Sequence, residues 1–143
     1  MTKRKNTDDL MEELKNKSTD INEYIDENSE DFIEVNLKDF WSKMLDKSKK
    51  AKSDIVNNAD ISYIYFYEIT QGKKLPSKDK IIRIMISMEL DLEDCQNALR
   101  FCNQSILYPR IKRDSVIIYA IEHGLSLYKT QEMLIKAGEP ELK

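Results

Sequence analysis

Glycine and proline are scarce in this chain of 143 residues, with three of each. An all-β sandwich needs many tight turns, which rely on those two residues, so the scarcity argues against that fold class. No apolar stretch approaches the roughly 20 residues that a membrane-spanning helix requires. Residues 1–9, MTKRKNTDD, start like a secretion signal, but no apolar region follows them. We therefore expect a cytoplasmic protein without a membrane partner.

Residues that usually carry chemistry are also few. The chain has one histidine, His123, and two cysteines, Cys95 and Cys102. The spacing of the cysteines is not that of a metal or redox pair, and both share a helical face with apolar neighbours, so we interpret them as core residues. His123 precedes Gly124 at an expected helix end, where a cation suits the helix dipole, so we interpret it as a cap or surface residue rather than a catalytic one. Because the sequence has no Ser/His/Asp set, glycine-rich phosphate loop or metal-ligand cluster, we expect no enzymatic activity, cofactor or metal site.

Charge is abundant but unevenly distributed. The chain carries 23 basic and 26 acidic residues, a net charge of -3. Residues 1–36 contain five basic and eleven acidic residues, residues 37–90 eleven and seven, and residues 91–143 seven and eight. The total therefore conceals a basic middle segment beside an acidic N-terminal arm. This asymmetry either serves the function or reflects the chance segregation of a chain with 34% charged residues.

Apolar residues recur at helical spacing along most of the chain, which predicts an all-α fold. In the arm, Thr7 is the expected N-cap of one short helix, and Ser18-Thr19-Asp20 precedes a second one. Five helices are predicted after the arm, over residues 37–46, 52–59, 62–71 and 78–88 and from Leu92 to Cys102.

The C-terminal third repeats the segment before it. A shift of 35 positions aligns apolar and polar residues alike: Ile82 with Ile117, Ile86 with Ile121, Gln96 with Gln131, Leu99 with Leu134 and Leu107 with Leu142. This register predicts a second helix pair packed on the first, with helix ends at Gly124 and Gly138. Chance similarity between two amphipathic hairpins is the alternative.

Residues 52–76 bear most directly on function. A short helix opens at Lys52, Asp60-Ile61-Ser62 forms a turn, and a second helix ends at Gly72, followed by Lys73-Lys74-Leu75-Pro76. Two helices joined by so short a turn are typical of a helix-turn-helix, here with basic edges.

Together with its flanking helices, this segment resembles the phage-repressor (XRE-type) helix-turn-helix family over residues 37 to about 102. The matching features are Lys52, Ile55-Val56, Ile61-Ser62, Ile69, the loop from Gly72 to Pro76 that follows the second helix, and Leu90-Asp91-Leu92. Asp60 and Thr70 depart from the glycine and glutamate often found in the family. The resemblance implies a five-helix DNA-binding domain at 37–104, between the arm 1–36 and a C-terminal helical hairpin 105–143. It also implies a homodimer on a pseudo-palindromic site.

The second helix of the unit, 62–71, has two faces. Phe66 and Ile69 are expected in the core, and the opposite face carries Tyr63, Ile64, Tyr67, Glu68 and Gln71. In a major groove, Gln71 would pair with adenine, Glu68 would accept from cytosine N4, and Ile64 would touch a thymine methyl. The residues expected to hold the DNA backbone are Lys52, Ser53, Ser62, Lys73, Lys74 and Ser77.

The same face admits two other interpretations, since a Tyr63-Ile64-Tyr67 patch is also typical of a protein-binding surface or of a buried core. We expect a sequence-specific, DNA-binding transcriptional regulator; a helix-turn-helix adaptor that binds a protein partner instead of DNA is the alternative. The acidic arm is expected either to shield the lysines of the DNA-binding face or to dock on the core through Phe32, Ile33 and Val35.

Overall fold

The computed structural model describes residues 5–32 and 36–143, and every regular element in these ranges is helical. The all-α prediction is therefore confirmed for this part of the chain. Contacts divide the chain into two compact units, Met1–Val35 and Asn36–Lys143. Within the described ranges, no helix combines the length and the apolar character that crossing a membrane would need.

The N-terminal unit contains two short helices and a 3-10 turn, α1 (Thr7–Lys15), α2 (Ile21–Glu27) and Ser29–Asp31. The prediction that Thr7 caps α1 is wrong by one residue: Asn6 is the N-cap, and its side chain accepts a hydrogen bond from the Asp9 amide. Asparagine is the stronger N-cap of the two neighbours, which leaves Thr7 as the first helical residue.

Asn28 ties the N-terminal unit together. Its Nδ2 donates to the Tyr24 carbonyl and to Glu13 Oε2, both at 3.0 Å. Phe32 makes an edge-on contact with the Tyr24 ring, with centroids 6.2 Å apart. The other two expected docking residues of the arm, at positions 33 and 35, lie outside the described residues.

The C-terminal unit is built from seven helices in its described length. They are α3 (Leu37–Lys47), α4 (Lys52–Ala59), α5 (Tyr63–Thr70), α6 (Lys78–Met88), α7 (Leu92–Phe101), α8 (Lys112–Glu122) and α9 (Leu127–Lys136). The predicted bounds of α3 to α7 agree with these to within about one residue. Ser62, Ser77, Asp91 and Ser126 cap α5, α6, α7 and α9 by accepting a backbone amide with their side chains.

Helix α6 is the central helix of this unit. All of its residues from Ile81 to Met88 are buried, and it packs against α4, α7 and α9. A helix that is buried on every side belongs in the middle of a domain. Trp41 anchors the same core from α3 and is fully buried.

Both cysteines lie in this core, as the sequence predicted. Burial raises the pKa of the Cys95 thiol to about 12 and that of Cys102 to about 11. At neutral pH both are therefore thiols that pack as small apolar groups, and neither is a reactive thiolate.

The 35-residue repeat is visible in the hydrogen bonding. Gln96 donates to the Leu107 carbonyl at 2.9 Å and accepts from the Leu107 amide at 2.8 Å. Gln131 makes the same two bonds with Leu142, each at 2.8 Å. The left-handed backbone positions repeat with the same shift: Glu89 with Gly124 and Asn103 with Gly138. Chance similarity does not explain two identical clamps, so residues 78–108 and 113–143 are two copies of one helix pair.

The two copies hold each other reciprocally. Arg113 forms a bidentate pair with Asp79 at 3.0 and 3.1 Å, and Lys78, its counterpart, pairs with Asp114 at 3.8 Å. The Tyr108 amide donates to Asp114 at 3.0 Å, and the Lys143 amide donates to Asp79 at 2.9 Å. Each contact from the first copy to the second is matched by the equivalent contact from the second copy to the first. The copies are therefore related by an approximate two-fold axis.

Candidate nucleic-acid interface

The turn between α4 and α5 is held by its own backbone conformation and by hydrogen bonds from α6. Asp60 ends α4 in the left-handed region, with φ 54°. Arg83 of α6 donates through Nε to the Ala59 carbonyl at 3.0 Å and through its guanidinium NH2 to the Asp60 carbonyl at 2.9 Å. These bonds satisfy two carbonyls that the end of α4 leaves free. The buried Arg83 of α6 therefore holds the backbone of the turn that precedes α5.

The end of α5 is fixed equally well. Gln71 is the C-cap, and Gly72 follows with φ 75°. The Lys73 amide then donates to the Glu68 carbonyl at 2.9 Å, which closes the helix end. A Cβ on Gly72 would lie 3.5 Å from the Leu37 side chain, an ordinary van der Waals contact, so the left-handed backbone rather than a lack of space favours glycine here.

Helix α5 has one buried and one exposed face. Phe66, Ile69 and Thr70 are buried, the first two as predicted. On the opposite face, Tyr63 is 54% exposed, Ile64 72% and Tyr67 50%. These exposures rule out the interpretation of this face as part of the core.

A cleft lies between α3, the start of α4 and the side of α5 that carries Tyr63 and Tyr67. Its lining comes from α3, from the start of α4 and from α5: Lys38, Ser42, Leu45, Lys52, Tyr63, Phe66, Tyr67, Thr70 and Gln71. The structure thus brings together four predicted site residues that are up to 19 positions apart, Lys52, Tyr63, Tyr67 and Gln71. Among the described residues that line it, none is acidic. Its volume of about 150 Å³ is below that of a typical small-molecule site.

Two cleft residues were missed from the sequence. Lys38 and Ser42 lie one helical turn apart on α3, on the polar side of that helix. Their spacing showed that they share a face, but only the packing of α3 against α5 brings that face to the cleft.

The remaining predicted site residues lie outside the cleft lining. Lys73, Ser53 and Ser77 are exposed, and the Ser77 hydroxyl caps α6 by accepting from the Lys80 amide at 3.3 Å. Ser62 is exposed as well and accepts from the Tyr65 amide at 3.1 Å.

Two lysines after α5 already have partners on the helix. Lys74 Nζ lies 3.2 Å from Glu68 Oε2, and Lys73 Nζ lies 5.5 Å from the centre of the Tyr67 ring. Exposed pairs of this kind contribute little free energy, so either lysine can leave its partner and bind a phosphate at small cost.

Other residues with titratable or charged side chains have structural roles. His123 ends α8 and stacks on Tyr119, with ring centroids 4.0 Å apart. Arg113, in the first turn of α8, is held by Asp79 rather than directed to solvent. In the described ranges, no group of His, Cys, Asp and Glu side chains is arranged to hold a metal ion. No protein-family model, curated protein or solved structure matches this chain.

Proposed function

We propose that this protein binds duplex DNA by placing α5 in the major groove, and that it acts as a sequence-specific transcriptional regulator. The observation that carries the proposal is the exposed face of α5 beside a lysine-edged cleft. A short, capped helix that follows a three-residue turn and has cationic edges suits a major groove flanked by phosphates.

The base contacts are assigned to the exposed face of α5. In helix-turn-helix docking, the N-terminal residues of the second helix meet the base edges, which favours Tyr63, Ile64 and Tyr67. Ile64 is the most exposed of the three and suits a thymine methyl. Glu68 would accept from cytosine N4 after releasing Lys74, and Gln71 would pair with adenine at the far end of the helix.

The phosphate contacts are assigned to the lysines around the helix. Lys38 and Lys52 line the cleft, and Lys73 and Lys74 follow α5. Ser53, Ser62 and Ser77 add hydroxyl donors at exposed positions. Such contacts fix position without reading sequence, and each lysine contact releases counterions, so binding should weaken steeply with salt. The resemblance to phage repressors adds a homodimer on two half-sites about one helical turn apart.

The test is fluorescence anisotropy with a random-sequence duplex over a salt series. Lys38→Glu with Lys52→Glu should weaken binding at least about tenfold and make the salt dependence shallower by about two counterions. Lys129→Glu with Lys136→Glu makes the same charge change on α9 and should have little effect. The absence of wild-type binding at low salt would contradict the proposal. A selection of bound sequences from a random pool then identifies the operator.

The second candidate is an adaptor that binds a protein partner through Tyr63, Ile64 and Tyr67. It is favoured by the contiguity of three apolar side chains that are each at least half-exposed. This function predicts no DNA binding at low salt. It also predicts that wild-type protein enriches peptides from a random displayed library, and that Ile64→Asp abolishes the enrichment.

A further inference from the structure

A second concave surface lies where the two copies of the helix pair face each other. The turn from α6 to α7 forms one wall, and the turn from α8 to α9 forms the other. Ile86, Leu90, Ile121 and Leu125 line it, and the first two are 35 residues from the last two. The groove is therefore a consequence of the approximate two-fold relation between the copies. It has a volume of about 640 Å³ and adjoins a second hollow of about 450 Å³ beside α9.

The groove has exposed apolar anchors. Tyr128 lines both hollows and is 80% exposed. Tyrosine is enriched in protein–protein interfaces, where a partner covers it. Ile135, two helical turns further along α9, lines the second hollow and is 58% exposed. Leu127 and Asn58 connect the two hollows, so they form one continuous surface, which we call the two-fold groove.

The edge of the two-fold groove is acidic. The acidic residues that line it are Asp60, Glu89, Asp91, Glu122, Glu132 and Glu141. The one basic residue among the described lining is Arg83, whose guanidinium is already engaged by the carbonyls of Ala59 and Asp60. The α5 cleft, by contrast, is lined by lysines. The C-terminal unit therefore carries two concave surfaces of opposite charge.

The acidic side chains are only partly neutralised within the chain. Asp60 pairs with Arg83 at 3.7 Å, Glu89 with Lys50 at 3.3 Å, and Glu132 with Lys129 and Lys136 at 3.5 and 3.4 Å. Glu122 is exposed and, within the described part of the chain, has no ion-pair partner. Negative potential therefore remains at the groove edge, where it attracts a cationic partner.

We propose that the two-fold groove binds a basic amphipathic peptide segment of a partner protein. Its apolar side chains would pack on Tyr128, Ile135 and the apolar walls, and its lysines or arginines would face the acidic edge. Duplex DNA is repelled by this edge. A second copy bound symmetrically through the same surface would bring one acidic edge against another, because a two-fold contact uses the same patch on both molecules.

The experiment uses three fluorescein-labelled peptides of equal length and the full chain. One places Leu and Lys at helical spacing, the second replaces Lys with Glu, and the third replaces Leu with Ser. The wild-type protein should bind the Lys/Leu peptide and should bind the other two at least about tenfold more weakly.

Variants of exposed groove residues locate the site. Glu122→Lys with Glu141→Lys should weaken the Lys/Leu peptide about tenfold, and Tyr128→Ala should do the same. The matched controls lie outside the groove lining. They are Asp46→Lys with Glu93→Lys for charge and Tyr108→Ala for an exposed tyrosine, and each should change the affinity less than about twofold. Because all these side chains are exposed, the circular dichroism spectrum should stay unchanged in every variant.

Four results would overturn the proposal. In the first, the Lys/Leu peptide fails to bind the wild-type protein. In the second, the peptide in which Ser replaces Leu binds equally well, which would indicate charge attraction alone. In the third, the control variants weaken binding as much as the groove variants do. In the fourth case, sedimentation shows a wild-type dimer that Glu122→Lys with Glu141→Lys dissociates, which would assign the groove to a second copy.

Discussion

At the scale of single residues, the ends of the helices depend on a few left-handed backbone positions. Gly124 and Gly138 were identified from the sequence because glycine is the usual residue there. Their counterparts, Glu89 and Asn103, adopt the same conformation with φ 57° and 60°. Glutamate gives no sequence signal for this geometry, so the left-handed conformation after α6 is known only from the structure, although the position of the helix end was predicted.

Substitutions at this pair isolate the backbone cost. A Cβ added at Gly124 meets no atom of the described chain within 4 Å, so Gly124→Ala should cost only the left-handed strain, about 1 kcal/mol of unfolding free energy. Glu89→Gly relieves the same strain, and the exposed ion pair with Lys50 that it removes contributes little, so it should stabilise by up to about 1 kcal/mol. Urea unfolding measures both. A neutral Gly124→Ala would contradict the assignment of φ 62°.

Asp79 makes stability depend on pH. Burial alone would raise the pKa of this carboxyl, but the Arg113 guanidinium and the Lys143 amide outweigh it and hold the pKa below the ordinary 3.8. A depressed folded-state pKa contributes stability above pH 3.8 that is lost as the pH falls further. Urea midpoints should therefore drop between about pH 4 and pH 2, and Asp79→Asn should flatten that drop. Equal slopes in both proteins would show that the pair does not couple to folding.

At the scale of elements, the helices were predictable because their caps and apolar stripes agree. Ser62 and Ser77 lie directly before periodic runs, and both are the observed N-caps. The start of α1 was misplaced because two residues able to cap it, Asn6 and Thr7, are adjacent. Asparagine is the stronger N-cap, and Asn6 is the observed one.

The repeat yields a paired prediction on the two glutamine clamps. Gln96→Ala and Gln131→Ala each remove two hydrogen bonds and leave a buried leucine backbone without partners. Each should cost about 2 kcal/mol, and the two costs should agree to within about 1 kcal/mol. Gln104→Ala is the control, because its only side-chain bond in the described structure is a long one of 3.5 Å to the Pro76 carbonyl. A clamp whose loss is neutral in urea unfolding would contradict the equivalence of the two copies.

At the scale of the whole molecule, the sequence revealed less. The α5 face could be identified from one helix, since all its residues follow a single periodicity. Lys38 joins it only through the packing of α3, and the acidic residues of the two-fold groove are spread from Asp60 to Glu141. Surfaces formed by several elements need the tertiary arrangement, which periodicity does not provide.

Deleting residues 1–35 tests the role of the acidic arm. The described buried cluster begins at Trp41, so the Asn36–Lys143 unit should fold alone and unfold cooperatively. Removing eleven acidic and five basic residues also removes net repulsion from DNA, so affinity for random duplex should rise at low salt. Unchanged affinity in a well-folded deletion would show that the arm does not shield the proposed DNA-binding face.

The most direct test of the central claim is an amide NMR titration of the protein with a short duplex at low salt. The proposed function predicts that the largest shift changes fall on residues 62–71 and on Lys38 and Lys52, and that Tyr128 and Ile135 barely move. The absence of shifts at any DNA concentration, or a maximum on α9, would contradict DNA recognition by α5.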